Sequence, residues 1–221
     1  MARQPYLPGF EHLDIGVGAL VLANRPDLTS AIGNCIALWS YADNEIANLL
    51  GILLETDSEV AIEVFSKLRR SASQIEVLGS AAKIKLAGED LEFYTAMISA
   101  YASLEQQRNA LAHGCFGVAS NDESVLLWIS VKDHARFQTN VLARSARGEV
   151  VVDPHKELKD RLFVYRKADL SELFREMEQF WDAARHFNSY LRFRPSPVQL
   201  SEFKRIQQLP LITRSKGRSI P

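Results

Sequence analysis

Apolar residues recur along this chain with a helical period in three long stretches, give way to alternating and β-branched runs, then return to a helical period. Asp27 or Thr29 can cap a first helix, and Ile32, Ile36, Leu38, Trp39, Ile46, Leu49, Leu50, Leu53 and Leu54 predict that it runs to about Leu54. Ser58, with Glu59 in the first turn, opens a second, predicted through Phe65, Leu68, Ile75 and Leu78 to about Leu86. Beyond Gly88 a third is predicted over about Asp90–Ala112, with Leu91, Phe93, Met97, Ile98, Tyr101 and Leu104 inward. Short connections between long helices make antiparallel neighbours the expectation.

The pattern changes at Gly114. Phe116–Ala119 and Val125–Val131 are β-rich, and Ser120-Asn121-Asp122 between them predicts a hairpin, which Phe137–Ala143 and Val150–Val152 extend. Arg161–Arg166 reads as a further strand. Asp169 or Ser171 then starts a fourth long helix to about Leu191, with Leu173, Phe174, Met177, Phe180, Trp181, Ala184, Phe187 and Tyr190 on its apolar side. Pro195 and Pro197 end it, Ser201–Gln208 reads as a short helix, and residues 209–221 as flexible. At the other end Pro5, Pro8, Gly9, Gly16, Gly18 and Pro26 break regular structure, so residues 1–26 read as an arm laid on the body. The expected fold is mainly α: a four-helix bundle over residues 27–191, with a small antiparallel β insertion at about 115–166 between the third and fourth helices. Residues 192–221 form a basic tail.

The tail is where charge changes the picture. From Arg192 onward seven Lys or Arg stand against one acid, Glu202, so this segment carries +6 and residues 1–191 carry −7. Two cysteines, Cys35 and Cys115, make no disulfide framework and no C-x-x-C pair, and a reducing, cytoplasmic setting is expected. Ile15–Ala23 is apolar but short and follows Glu11 and Asp14, unlike a signal peptide, and no apolar run approaches the roughly 20 residues that cross a bilayer. His12, His134, His155 and His186 are scattered, so no metal site is expected, nor does any phosphate- or dinucleotide-binding glycine motif occur.

Candidate chemistry is concentrated in Arg108-Asn109-Ala110-Leu111-Ala112-His113-Gly114, where the third helix meets the β-rich segment. At about 3.6 residues per turn, Asn109 and His113 share a helix face, while Arg108 lies roughly 140° from His113. An unwound last turn, with Gly114 in a left-handed cap, would bring Arg108 and His113 closer. A histidine here complements the negative end of the helix dipole. Arginine holds a phosphate through two donors, and Asn109 can bond the imidazole or a phosphate oxygen. These groups suit proton transfer beside a phosphate. The plainer reading is structural, with Gly114 ending the helix, His113 answering its dipole and Arg108 paired with a carboxylate.

The heptad resembles the R-x(4–6)-H motif of the HEPN superfamily, in which a polar residue, often Asn, follows the Arg. Arg108 matches the Arg, Asn109 the polar position and His113 the His, with four residues intervening. The surrounding helices resemble the family's bundle over roughly residues 27–191, apart from the β insertion, which the minimal bundle lacks. The resemblance implies metal-independent, cofactor-free RNA cleavage by 2′-hydroxyl attack, leaving a 2′,3′-cyclic phosphate, in defence or a toxin–antitoxin pair. It implies a homodimer with two motifs facing one groove, RNA as substrate and a protein antitoxin as partner. His113 would transfer protons, Arg108 would hold the phosphate and stabilise its developing charge, and Asn109 would orient His113 or the backbone. The alternative is a non-catalytic HEPN-like dimeric module for interaction or nucleotide binding.

Other residues carry weaker signals. Glu45 is a candidate partner for Arg108, set against the plainer reading of a solvated acid. Cys115 lies two residues from His113, but a buried small hydrophobe is its simpler role. Trp39, Trp128 and Trp181 read as core rather than as base-stacking platforms.

Overall fold

The computed structural model describes residues 4–5, 15–18, 20–68, 71–119, 122–149, 158, 161–193 and 196–217. Over these the chain is mainly helical with a small antiparallel sheet, as the hydrophobic pattern predicts. The elements in order are β1 (Gln4–Pro5), β2 (Ile15–Val17), a 3-10 turn (Val21–Asn24), α1 (Pro26–Leu54), α2 (Ser58–Lys67), α3 (Ser71–Lys85), α4 (Gly88–His113), β3 (Gly114–Ala119), β4 (Asp122–Ser130), α5 (Val131–Ala146), β5 (Phe163–Arg166), α6 (Lys167–Arg192), α7 (Pro197–Gln207) and α8 (Pro210–Ser215). They divide into two compact units. One comprises residues 1–36 and 107–174, the other 37–106 and 175–221.

The first unit holds the sheet, in the order β1-β5-β4-β3-β2 with every pair antiparallel. The predicted hairpin is β3–β4, with Cys115 opposite Ile129 and Phe116 opposite Trp128; its turn residues Ser120 and Asn121 lie outside the described residues, as does Val150–Val152. Pro5, which has no N–H to give a ladder, sits in an edge strand, where proline is tolerated. Val125–Ile129 of β4 are buried without a break, the pattern of a strand covered on both faces. Val125, Leu127 and Ile129 join Ile15, Ala119, Leu158, Leu162 and Val164 in one core cluster, on which Val17, Cys115 and Phe137 pack.

Phe137–Ala143 does not extend the sheet; it lies within helix α5. The cause is local. The Ser130 hydroxyl accepts from the Asp133 N–H at 3.0 Å and donates to the Asp133 carboxylate, so a reciprocal cap forms where β4 ends. At the far end Gly148 takes a left-handed φ of 73°, the Gly148 N–H bonds the Ser145 carbonyl and the Glu149 N–H reaches back to Arg144. That arrangement closes a helix C-terminus and favours glycine.

The second unit is built around ring contacts. Trp39 of α1 stacks on Tyr101 of α4 at 5.0 Å, and both meet Phe180 of α6. The Tyr101 hydroxyl donates to Asp43 at 2.8 Å, giving a buried phenol its required partner. A second group joins Phe93, Phe187 and Tyr190 to Phe203 of α7. The predicted second helix is two helices. Leu68 turns extended, with ψ 93°, and the Phe65 carbonyl accepts from the Leu68 N–H and the Gln74 side chain. Two donors thus satisfy a helix-end carbonyl that another turn would otherwise have bonded.

The flexible reading of residues 209–221 fails over Pro210–Ser215, which form α8 with Leu211, Ile212 and Ser215 buried, while Arg214 pairs with the buried Glu176 carboxylate. Pro197 does not merely follow a helix; it begins α7. No helix among the described residues is long and apolar enough to cross a membrane.

Candidate functional site

The heptad occupies the last two turns of α4 and the first residue of β3. Ala110 and Leu111 are buried, so the inward direction of the helix lies between them. At about 100° per residue, Arg108, Ala112, Asn109 and His113 then follow one another around the outward side, across an arc of roughly 140°. The accessibilities agree: Arg108 and Asn109 are half-buried, Ala112 and His113 exposed. Three polar side chains therefore surround the small Ala112 on the solvent side of the last turn.

The left-handed cap expected at Gly114 is not formed. Gly114 has no positive φ, the last turn stays wound to His113, and the chain passes directly into β3. What ends the helix is a side chain from the sheet. The Trp128 indole N–H donates to the Ala110 carbonyl at 2.7 Å, satisfying one of the acceptors that a helix C-terminus leaves open. Its five-membered ring edge fills the space that a Cβ at residue 114 would need. Glycine is required here for close approach rather than for backbone freedom. Trp128 is buried and meets Phe163 edge-on at 5.8 Å, and Trp39 is buried too, so both are core as read from the sequence. Trp181 is half-buried, meets Tyr41 edge-on and carries the Arg185 guanidinium over its ring at 5.3 Å.

The register places a second helix end beside this one. Gly114 is opposite Ser130, and Ser130 is the N-cap of α5. The negative end of α4 and the positive end of α5 thus emerge side by side from one edge of the β3–β4 ladder, an arrangement in which opposite partial charges attract. Asp133 in the first turn of α5 also holds Arg161 at 3.3 Å. Sequence reading missed this neighbour of the heptad. The signal was present as Ser130-Val131-Lys132-Asp133, a capping pattern directly after a strand.

Cys115 is half-buried on the core cluster, and burial pushes its thiol up, which disfavours the thiolate that a Cys–His pair would need. Glu45, in the second unit, is held by Asn188, whose side-chain amide donates to the Glu45 carbonyl at 2.9 Å and to its carboxylate at 2.8 Å. Both residues line a polar cleft of about 220 Å³ with Asn48, Arg185, Ser189 and Arg192. Compared with protein-family models, with curated proteins and with solved structures, the chain matches none.

Proposed function

We propose that the chain is a HEPN-like, metal-independent endoribonuclease acting through Arg108, Asn109 and His113. The observation that carries the reading is the arc on α4: a guanidinium, a carboxamide and an exposed imidazole fan around the exposed Ala112 on the outward side of the last turn. A phosphodiester seated over Ala112 meets charge from Arg108, hydrogen bonds from Asn109 and a proton carrier in His113. The 2′-hydroxyl loses its proton to a base and attacks phosphorus. The 5′-oxygen leaves with a proton from an acid, and a 2′,3′-cyclic phosphate remains. Arg108 counters charge developing on the phosphoryl oxygens.

The reaction uses both a base and an acid, and one heptad supplies one imidazole. We therefore include a homodimer in the proposal, because a two-fold interface brings the same patch twice to one groove. A four-helix HEPN-like arrangement, a cytoplasmic setting, a role in defence or a toxin–antitoxin pair, and an antitoxin as protein partner complete it.

The test is incubation of the purified protein with mixed single-stranded RNA in EDTA. Cyclic-phosphate ends are expected, and both His113→Ala and Arg108→Ala abolish them. Absence of cleavage together with tight binding of a partner overturns the enzyme and supports the non-catalytic module. Light scattering, with cross-linking from a cysteine placed beside Asn109, checks the dimer. A strict monomer, or two distant Asn109 positions, removes the composite groove.

A further inference from the structure

Helix α5 has no buried residue, and it begins at the Ser130 opposite Gly114, beside the heptad. Its orientation is set by His134, Phe137, Val141 and Arg144, which with Asp133 are its half-buried positions, Phe137 lying on the core cluster. Their spacing of three, four and three residues defines one inward face. Of the exposed surface, Ala135, Leu142 and Ala146 form an apolar side, and Lys132, Arg136, Thr139, Asn140, Ala143 and then Arg147 form a polar face beside it. Nothing on that face is a carboxylate. Asp133, the one acid in α5, is taken up by Ser130 and Arg161. Glu149 beyond the helix pairs with Arg144 at 3.1 Å and Arg147 at 2.7 Å, which leaves the Lys132–Arg136 end the more cationic.

We propose that this face of α5 is a docking surface for the backbone of single-stranded RNA, with Lys132 and Arg136 on phosphates and Asn140 and Thr139 on sugar or phosphate oxygens. The inference rests on the ribonuclease reading and names where its substrate lies. Lys132 and Arg136 stand one helical turn apart, about 6 Å along the axis, and the stripe to Arg147 extends about 22 Å, room for several nucleotides. The Lys132 end is the one next to His113 and Gly114, so a strand running along α5 reaches the heptad at that end. Phosphate contacts position a chain without reading its bases. The surface therefore supplies affinity and register, and base preference comes from elsewhere.

The experiment measures binding of a fluorescein-labelled single-stranded RNA to the cleavage-inactive His113→Ala protein over a range of salt. Lys132→Glu with Arg136→Glu in that background is expected to weaken binding about tenfold or more at low salt. It is also expected to flatten the log–log salt slope by about 1.4, two contacts at roughly 0.7 each. Glutamate at residue 132 falls in the first turn of α5, where acids favour the helix, and the milder Lys132→Gln with Arg136→Gln guards against misfolding. Lys83→Glu with Lys204→Glu makes the same change in net charge at exposed positions of the second unit and is expected to leave binding within about twofold. Unchanged affinity and slope in the α5 variants overturn the proposal, as does polyglutamate competing as well as RNA. Wild-type protein that cleaves RNA with the same KM as the α5 variants overturns the surface and leaves the ribonuclease standing. Protein that neither binds nor cleaves RNA overturns both.

Discussion

Trp128 and Ala110 are joined by the bond that ends helix α4: the indole N–H meets the Ala110 carbonyl at 2.7 Å, and the ring edge passes over the bare Cα of Gly114. Gly114→Ala therefore puts a methyl group where the indole lies. Moving Trp128 loses both a buried hydrogen bond and a packed ring, and about 2–4 kcal/mol of stability goes with it. Trp128→Phe keeps most of the packing but leaves the carbonyl without this donor, at about 1–3 kcal/mol. Urea denaturation measures both. A Gly114→Ala protein as stable as the parent would show that Trp128 is not what holds this turn.

Ser130 both ends β4 and caps α5. Ser130→Ala is expected to cost about 1 kcal/mol, and Ser130→Thr much less, because a hydroxyl still accepts the Asp133 N–H and donates to its carboxylate. Hydrogen exchange should locate the loss in the first turn of α5. A loss spread evenly over the sheet would mean that Ser130 acts as a strand residue instead.

Cys35 is fully buried, with its sulfur 3.8 Å from the Leu170 carbonyl, and burial pushes its thiol up to about 11 from an ordinary 9.0. Between these values the unfolded chain has given up a proton that the folded one keeps. The raised group's contribution is fully present below pH 9 and is lost as pH rises toward 11, amounting to roughly 3 kcal/mol. Cys35→Ala should remove that part of the alkaline decline, so the stability gap between variant and parent narrows over this window. A gap that stays constant from pH 8 to 11 contradicts the assignment.

Deleting residues 210–221 removes Leu211 and Ile212, both buried, and takes Arg214 from the Glu176 carboxylate. Two aliphatic side chains at roughly 1.5–3 kcal/mol each give an expected loss of at least about 3 kcal/mol. Thermal unfolding reads it directly. A truncated protein that melts with the parent would return this segment to the status of a solvated tail.

Much of the helical frame was legible because an apolar face repeats over many turns, and nothing local competes with it. The ends of α1, α4 and α6 fall within a few residues of those expected. Shorter elements were decided by caps. At Phe137–Ala143 a run of seven residues satisfied a strand reading, and the Ser130–Asp133 cap upstream and Gly148 downstream made it helix. At Leu68 a continuous apolar period concealed a break at which the Gln74 side chain and the Leu68 N–H both bond the Phe65 carbonyl. For the site, the three heptad residues and their order around α4 were legible, since a helix fixes azimuth by counting.

By itself, then, the order of residues determined the helical frame, the hairpin and the place of Arg108, Asn109 and His113 at a helix end, because period and spacing along one element suffice for each. Only the tertiary structure decided what Gly114 is for and what stands next to the heptad. Both depend on residues brought across an antiparallel ladder: Trp128 reaches back 18 positions to Ala110, and Ser130 arrives opposite Gly114 with α5 behind it. A local pattern holds no record of such a meeting. It arises when β4 finds its register on β3, which burial of Leu127 and Ile129 on one face and Trp128 on the other holds in place, since a slip of one residue would turn every side chain to the wrong side.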